Sequence, residues 1–346
     1  MAKPSALAAS PQLAPTETPG PIFIGGSDRC GKTSLRHFLV SHPNISIPAV
    51  GSNMWTYFYG QFGDLGRRDN FERCLAAMLN YKHVRFLKPD ADRIRREFWK
   101  GDPSYARLFA LFQIHHAERE SKPRWGDQTG LIERYADEVF TAYPGSKMLH
   151  MVRDPRDRYE ASLALWPNGM GRVGGAAARW LYSIRLAHRN LARYPDRYKI
   201  VRYESLVCWP EQTLRDICAF LGENFSPAML TMDGAPSHRD KLRSSANGHQ
   251  GASPLSPEFI GRFRQSIPRR EIAFMQFHAG RLMRTHGYSM EPLRFSLRDW
   301  FLFSLVDWPL NLIRMYTWLG KEALHQNFPS LAGRTAAPKM ILKEAS

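Results

Sequence analysis

Two short stretches concentrate the residue types that bind and move anionic groups. The first is GGSDRCGKTSL, residues 25–35. Gly26 to Thr33 spells G-x-x-x-x-G-K-T, the pattern of a phosphate-cradling loop. Glycines let backbone N–H groups turn toward an anion, and a helix starting there adds its N-terminal dipole. Lys32 adds a mobile positive charge and Arg29 a planar one. A ligand-free turn is the plain alternative, but here a β-type run, two glycines, two cations and a helix arrive together. The second stretch is VRDPRDRYEAS, 152–162. Arg153 emerges where an apolar run ends, Asp154-Pro155 starts a helix, and Ser162 lies nine residues after Arg153, about two turns into that helix. An arginine and a hydroxyl there can grip a second phosphate away from the first. The plain alternative is a surface arginine paired with Asp154 or Asp157. The stretch also imitates a metal-binding Walker B strand, except that Arg153 sits beside the acid.

The elements that must position these groups follow from periodicity and punctuation. Strands are expected at 22–25, 45–48, 147–152 and 198–203, with a short strand or turn at 123–125. Helices are expected at 33–41, through most of 55–119, and at 130–142, 155–166, 172–193, 211–222, 256–265 and 269–285. Gly222 stops one of them. Strands alternating with helices imply a parallel sheet covered on both faces. In such sheets ligands sit at the carboxyl ends of the strands, where both chemical stretches fall. The predicted fold is therefore α/β: a P-loop-containing three-layer fold with a central parallel sheet and a helical C-terminal extension. The predicted division is a disordered leader at 1–20, an α/β domain at 21–290, an amphipathic helical extension at 291–326 and a loose tail at 327–346.

The 346 residues carry a formal net charge of +16, which favours anionic ligands such as nucleotides, sulfated or phosphorylated compounds, nucleic acid or acidic lipid. No block of five or six like charges appears, so a nucleic-acid arm is not indicated. The 4 cysteines lack zinc-ligand spacing and suggest no disulfide framework, which points to a reducing compartment. The Ala/Pro/Ser/Thr-rich N-terminus has no unbroken apolar core of a signal peptide. The expected location is cytoplasmic. Residues 295–320 are apolar but interrupted by Arg298, Asp299, Asp307, Asn311 and Arg314, too often for a membrane span. On a helical wheel Ser304, Asp307, Asn311 and Arg314 share one face, with Leu305, Val306, Trp308, Leu312 and Leu319 opposite and Pro309 a kink point. Such a helix packs on its own domain or a second copy, or lies in a membrane interface.

Five stretches in order resemble the sulfotransferases that use 3′-phosphoadenosine 5′-phosphosulfate (PAPS), nearest their bacterial and carbohydrate- or tyrosyl-protein-type branch. GGSDRCGKTSL resembles the loop for the 5′-phosphosulfate, and VRDPRDRYEAS the 3′-phosphate motif. HPNISIP, RWGDQTG and VRYESLVCWPEQTLRDICAFLG resemble accompanying segments. The resemblance covers roughly 21–290. It implies that Arg29, Cys30, Gly31, Lys32, Thr33 and Ser34 hold the donor's 5′ end, that Arg153 and Ser162 hold the 3′-phosphate, and that Tyr203 lies near the adenine. Arg29 or Lys32 would stabilise charge on the leaving phosphate oxygen. The implied donor is PAPS, with no metal, and the acceptor is a hydroxyl or amine of a carbohydrate, lipid or small molecule.

The pattern is broken in four places. Lys32 stands where the family usually has threonine. Arginine and serine are commonly eight residues apart, and position eight is Ala161 here. Gln128 replaces the usual lysine. Pro48 to Gly63 contains no acid where many relatives place a catalytic glutamate. A general base must still take the acceptor's proton, and Asp127 is the leading candidate ahead of His115, His116 and His150; its plain alternative is a helix cap or a loop salt bridge. The aromatic residues at 54–62 and the loop at 232–256 are expected to shape the acceptor pocket. Two other readings stand beside this one: a P-loop kinase or NTPase using ATP and Mg²⁺, and a non-enzymatic basic module binding polyanions or membranes.

Overall fold

A computed structural model describes residues 19–163, 172–232, 235 and 257–327. The expected leader up to residue 18, the end of the helix expected at 155–166, nearly all of the loop expected at 232–256 and the tail beyond 327 lie outside the described residues. Five strands, β1 (Ile22–Gly25), β2 (Ile45–Ser46), β3 (Arg124–Gln128), β4 (Lys147–Val152) and β5 (Tyr198–Arg202), form one sheet in the order β2-β3-β1-β4-β5. Every pairing is parallel, with Ile22 level with Gly126 and Lys147. The sheet therefore needs a crossover between each consecutive pair of strands.

Both faces are buried, and the two-residue alternation of each strand divides its side chains between two cores. Phe23, Met148 and Tyr198 join a core built with helices Arg68–Asn80, Ala91–Phe98, Tyr105–Arg119 and Ala136–Ala142. Ile22, Ile24, Leu149, Met151 and Val201 face the other way, against α1 (Lys32–Val40) and helix Pro210–Leu221. These are the three layers that the sequence predicts. Each fully buried side chain of this size contributes roughly 1.5–3 kcal/mol.

Element boundaries differ modestly from expectation. The strand expected at 45–48 is only Ile45–Ser46, and the short strand or turn at 123–125 is a full strand lying between β2 and β1. Gly126 explains why so polar a run pairs centrally: a Cβ there would lie 2.5 Å from the Ile22 carbonyl oxygen. Helix Pro210–Leu221 ends as predicted, with Gly222 in the left-handed region at φ 75°.

The C-terminal helix has its irregularity at the expected kink point. Leu297–Leu302, a π-helical turn at Phe303–Asp307 and Trp308–Asn327 follow one another directly. The wider turn stands just before Pro309, which lacks an N–H and crowds the carbonyl four residues back. Asn311, on the polar face of the helical wheel, turns toward the domain, with Arg314 half-buried beside it. Asn311 is buried and its Oδ1 accepts from the Gly174 N–H at 3.3 Å and from Arg314 at 3.2 Å. Gly174 permits this approach, since a Cβ there would lie 2.1 Å from the Asn311 carbonyl oxygen.

Candidate active site

The carboxyl ends of β1, β4 and β5 converge on the loop between β1 and α1. Three of its residues adopt left-handed conformations: Gly26 at φ 111°, Arg29 at 61° and Gly31 at 101°. At Gly26 a Cβ would lie 2.4 Å from the Met151 carbonyl oxygen, and at Gly31 2.5 Å from the Tyr203 ring. Both sites thus need glycine for conformation and for close approach. Lys32 folds back over the loop, its Nζ donating to the Gly26 and Ser27 carbonyls at 2.7 and 2.6 Å. Thr33 is exposed in the first turn of α1, while Ser34 and Cys30 are buried. Burial pushes the Cys30 thiol up despite nearby Lys32, so it is no ready nucleophile.

Three arginines of one short segment have three separate tasks. Arg153 follows β4, its guanidinium lying 4.5 Å over the Tyr203 ring and donating to the Phe259 carbonyl at 3.0 Å. Its Nε is buried without a hydrogen-bond partner among the described residues. Arg156 grips both carboxylate oxygens of Asp154, at 3.0 and 2.6 Å. The same Asp154 caps helix Pro155–Leu163 by accepting from the Arg156 N–H at 2.9 Å. The acid that imitates a Walker B residue is therefore fully engaged. Arg158, wholly buried, crosses to Asp28 of the loop at 2.8 Å. Arg29 reaches the same helix, its Nε donating to the Ala161 carbonyl at 3.2 Å. Ser162 donates to the Tyr159 carbonyl at 2.7 Å. The structure thus brings the loop, Arg29, Arg153, Ser162 and Tyr203 to one edge of the sheet.

Burial pushes the Asp28 carboxyl up, but Arg158, Arg179 and Lys32 together outweigh it and hold the group below its ordinary value. A carboxyl depressed on folding stabilises the protein above its unfolded pKa, and that stabilisation is lost as pH falls through the folded value. Asp28→Asn is therefore expected to cost about 1–2 kcal/mol near neutral pH, as for a partly buried ion pair. The cost should vanish below the ordinary carboxyl range near pH 4. Urea unfolding at both pH values measures it. An equal cost at both would mean that the Arg158 pair is not what ties the loop down.

Beneath the loop lies a buried polar chain that has no signature in the sequence. Glu133 accepts from the Gly26 N–H at 3.1 Å and from the Ser183 hydroxyl at 2.6 Å. Ser183 Oγ also lies 3.3 Å from His150 Nε2, and the Tyr198 hydroxyl 2.8 Å from His150 Nδ1. Because Ser183 spends its proton on Glu133, the network assigns the imidazole proton to Nε2 and leaves Nδ1 to accept from Tyr198. Burial lowers the His150 pKa by more than the nearby Glu133 carboxylate raises it. Burial would raise that of Glu133, but the neighbouring imidazole, Ser183 and the Gly26 N–H bring it below the ordinary value. Glu133 is a positioning residue for the first glycine of the cradle. Its partner stands 107 residues away, so no local pattern announces it.

Asp127 lies on β3, level with Phe23, and is buried. Its carboxylate accepts from the Ser52 N–H at 3.1 Å, from the Ser52 hydroxyl, and from Thr129 Oγ1 at 3.1 Å. These bonds lower its pKa less than burial raises it. It borders a narrow internal cavity whose walls include Trp55, Trp125, Tyr143 and Gln113. Of the aromatic run at 54–62, Trp55 and Phe58 belong to the core. His115 pairs with Glu97 at 2.8 Å, and His116 lies 3.4 Å from Glu120, both away from the cradle.

A Sulfotransferase family model matches residues 21–227, which takes in β1 to β5, the cradle, Arg153 and Tyr203. A protein-tyrosine sulfotransferase of Drosophila melanogaster is 24% identical over 237 residues, covering 66% of this chain and 41% of that one. A carbohydrate sulfotransferase 5 of Mus musculus is 25% identical over 175 residues, 44% of each chain. The chain spans less than half the length of these curated relatives. Among solved structures, the sulfotransferase domain from the Synechococcus PCC 7002 olefin synthase superposes with a TM-score of 0.54 at 22% identity, over 81% of this chain and 99% of that one. At that identity the likeness is one of fold.

Proposed function

Because this chain belongs to the sulfotransferase family, we propose that it transfers a sulfuryl group from PAPS to a hydroxyl or amine of an acceptor. The observation that carries the donor reading is the presence of two cationic seats at one sheet edge. One is the 26–33 loop with Lys32 and the start of α1. The other is Arg153, with its unpartnered Nε above Tyr203. A nucleotide with phosphate groups at both its 3′ and 5′ positions needs two such seats. When bound, PAPS would supply the transferable group.

The residues divide the work as follows. Arg29, Cys30, Gly31, Lys32, Thr33 and Ser34 hold the 5′ end through backbone N–H groups and cations. Arg153 and Ser162 take the 3′-phosphate, and Tyr203 lies beside the base. Lys32 needs only to release its two loop carbonyls to stabilise charge on the leaving oxygen. Asp127 accepts the acceptor's proton; a carboxyl raised by burial lies nearer the range in which a general base works.

The kinase alternative is less well supported, because a terminal phosphoryl transfer relies on Mg²⁺ to bridge the phosphates and Asp154 is held by Arg156. Calorimetry on the purified protein in EDTA should therefore show tight binding of adenosine 3′,5′-bisphosphate. ATP should bind weakly with or without Mg²⁺. Mg²⁺-dependent ATP binding that outcompetes the bisphosphate would overturn the donor assignment.

A further inference from the structure

The C-terminal helix, outside the family match, is docked by a side that mixes Asn311 with Trp308, Leu312, Met315 and Leu319, and it leaves a second apolar strip bare on its outward side. Two of the three described acids along it are paired with the domain, and the third is bonded within its own first turn. Asp299 is capped by Ser296, Asp307 lies 3.3 Å from Arg270, and Glu322 is buried 2.8 Å from Arg134. Met315 and Asn311 are buried against the domain, with Leu312 and Leu319 partly so. On the outward side Trp300, Phe301, Leu305, Leu310, Ile313 and Tyr316 stand 41% to 64% exposed. The exposed ionisable side chains described along the helix are Arg298 and Lys321, both cationic and one toward each end. From Leu297 to Leu324 this face runs about 40 Å at 1.5 Å per residue. A monomer seldom leaves so long an apolar strip to water.

The geometry points to the surface of an anionic lipid bilayer as the occupant of this face, with the helix lying in the plane of the interface. No described helix is long and apolar enough to cross a membrane. The strip has the composition of an in-plane helix: aliphatic side chains in the middle, Trp300 and Tyr316 with polar tips, and the exposed cations Arg298 and Lys321 toward its ends. The chain's net charge of +16 attracts the same surface. A second copy of the helix fits less well. A parallel pair would set Arg298 against Arg298, and an antiparallel pair centred near Pro309 would set Arg298 against Lys321. Both bring like charges together. This inference is independent of the donor reading.

Sedimentation of the full chain with vesicles tests it. The protein should pellet with mixed phosphatidylcholine–phosphatidylserine vesicles at least tenfold more strongly than with phosphatidylcholine alone, and less as salt rises. Leu305→Glu with Ile313→Glu should reduce that binding at least tenfold, with the far-ultraviolet spectrum unchanged. Because those side chains point to solvent, the fold tolerates the change; a single Ile313→Glu variant serves if the double variant does not fold. Arg298→Gln with Lys321→Gln should flatten the salt dependence. Failure to pellet with anionic vesicles, or pelleting that the glutamate variants do not weaken, would overturn the proposal. So would a dimer in analytical ultracentrifugation that Ile313→Glu dissolves.

Discussion

Asp127→Asn is expected to lower turnover by roughly 10²–10⁴ while leaving adenosine 3′,5′-bisphosphate binding nearly intact. The change keeps the size of the side chain and one acceptor for the Ser52 and Thr129 hydroxyls, giving up only the bond from the Ser52 N–H, so the segment around Ser52 keeps two of its three ties to this side chain. What it removes is a proton acceptor. Burial raises this carboxyl above its ordinary value more than its three donors lower it. The wild-type pH–rate profile should therefore show an acidic limb above the ordinary carboxyl range near 4, rising as the group loses its proton. That limb should be absent from the residual activity of the variant. Near-normal turnover in Asp127→Asn would leave the residue as a clamp between β3 and the 51–53 segment, and the proton would need another acceptor.

Arg153→Ala should weaken adenosine 3′,5′-bisphosphate by about 10- to 150-fold, the equivalent of losing a charge-assisted contact of about 1.5–3 kcal/mol. AMP, which has no 3′-phosphate, should bind nearly as before. The comparison matters because Arg153 also supports its surroundings, bonding the Phe259 carbonyl and stacking on Tyr203. A loosened Tyr203 would weaken both nucleotides alike, because Tyr203 also packs against Gly31 of the cradle. Only a selective loss assigns the guanidinium to the 3′-phosphate. Titration calorimetry with both ligands separates the two outcomes, and equal weakening would remove Arg153 from that role.

The parts of this site that are legible in the sequence are those whose physics is local. β1, the loop and α1 are consecutive, so a β-type run, two glycines and a helical run suffice to place them. Asp154-Pro155 likewise declares a helix start within two residues. Glu133 and Arg158 are not legible, since each acts on the loop from more than 100 residues away. Periodicity gives the C-terminal helix its two faces, but the side that turns inward mixes them: Trp308, Leu312, Met315 and Leu319 pack on the domain. Asn311, Asp307 and Glu322 meet a backbone N–H and two arginines there, partners no local pattern announces. β3 is a similar case: RWGDQ has little strand character, and its place in the sheet comes from the close approach that Gly126 allows.

The sheet order also constrains how the chain comes to be folded. β1 lies between β3 and β4, and its residues pair with partners more than 100 positions downstream on both sides. The first strand therefore has no neighbour until the chain has been made as far as Gln128, and lacks the second until Val152. Helices between Arg68 and Arg119 can form earlier, from local contacts, but their apolar faces have no sheet to cover. Closing so long a loop carries an entropic cost before any ladder contact offsets it, and folds dominated by distant pairings form slowly. The segment that builds the cradle is synthesised first and completed late, with Ile22, Phe23 and Ile24 exposed to intermolecular pairing in the interval.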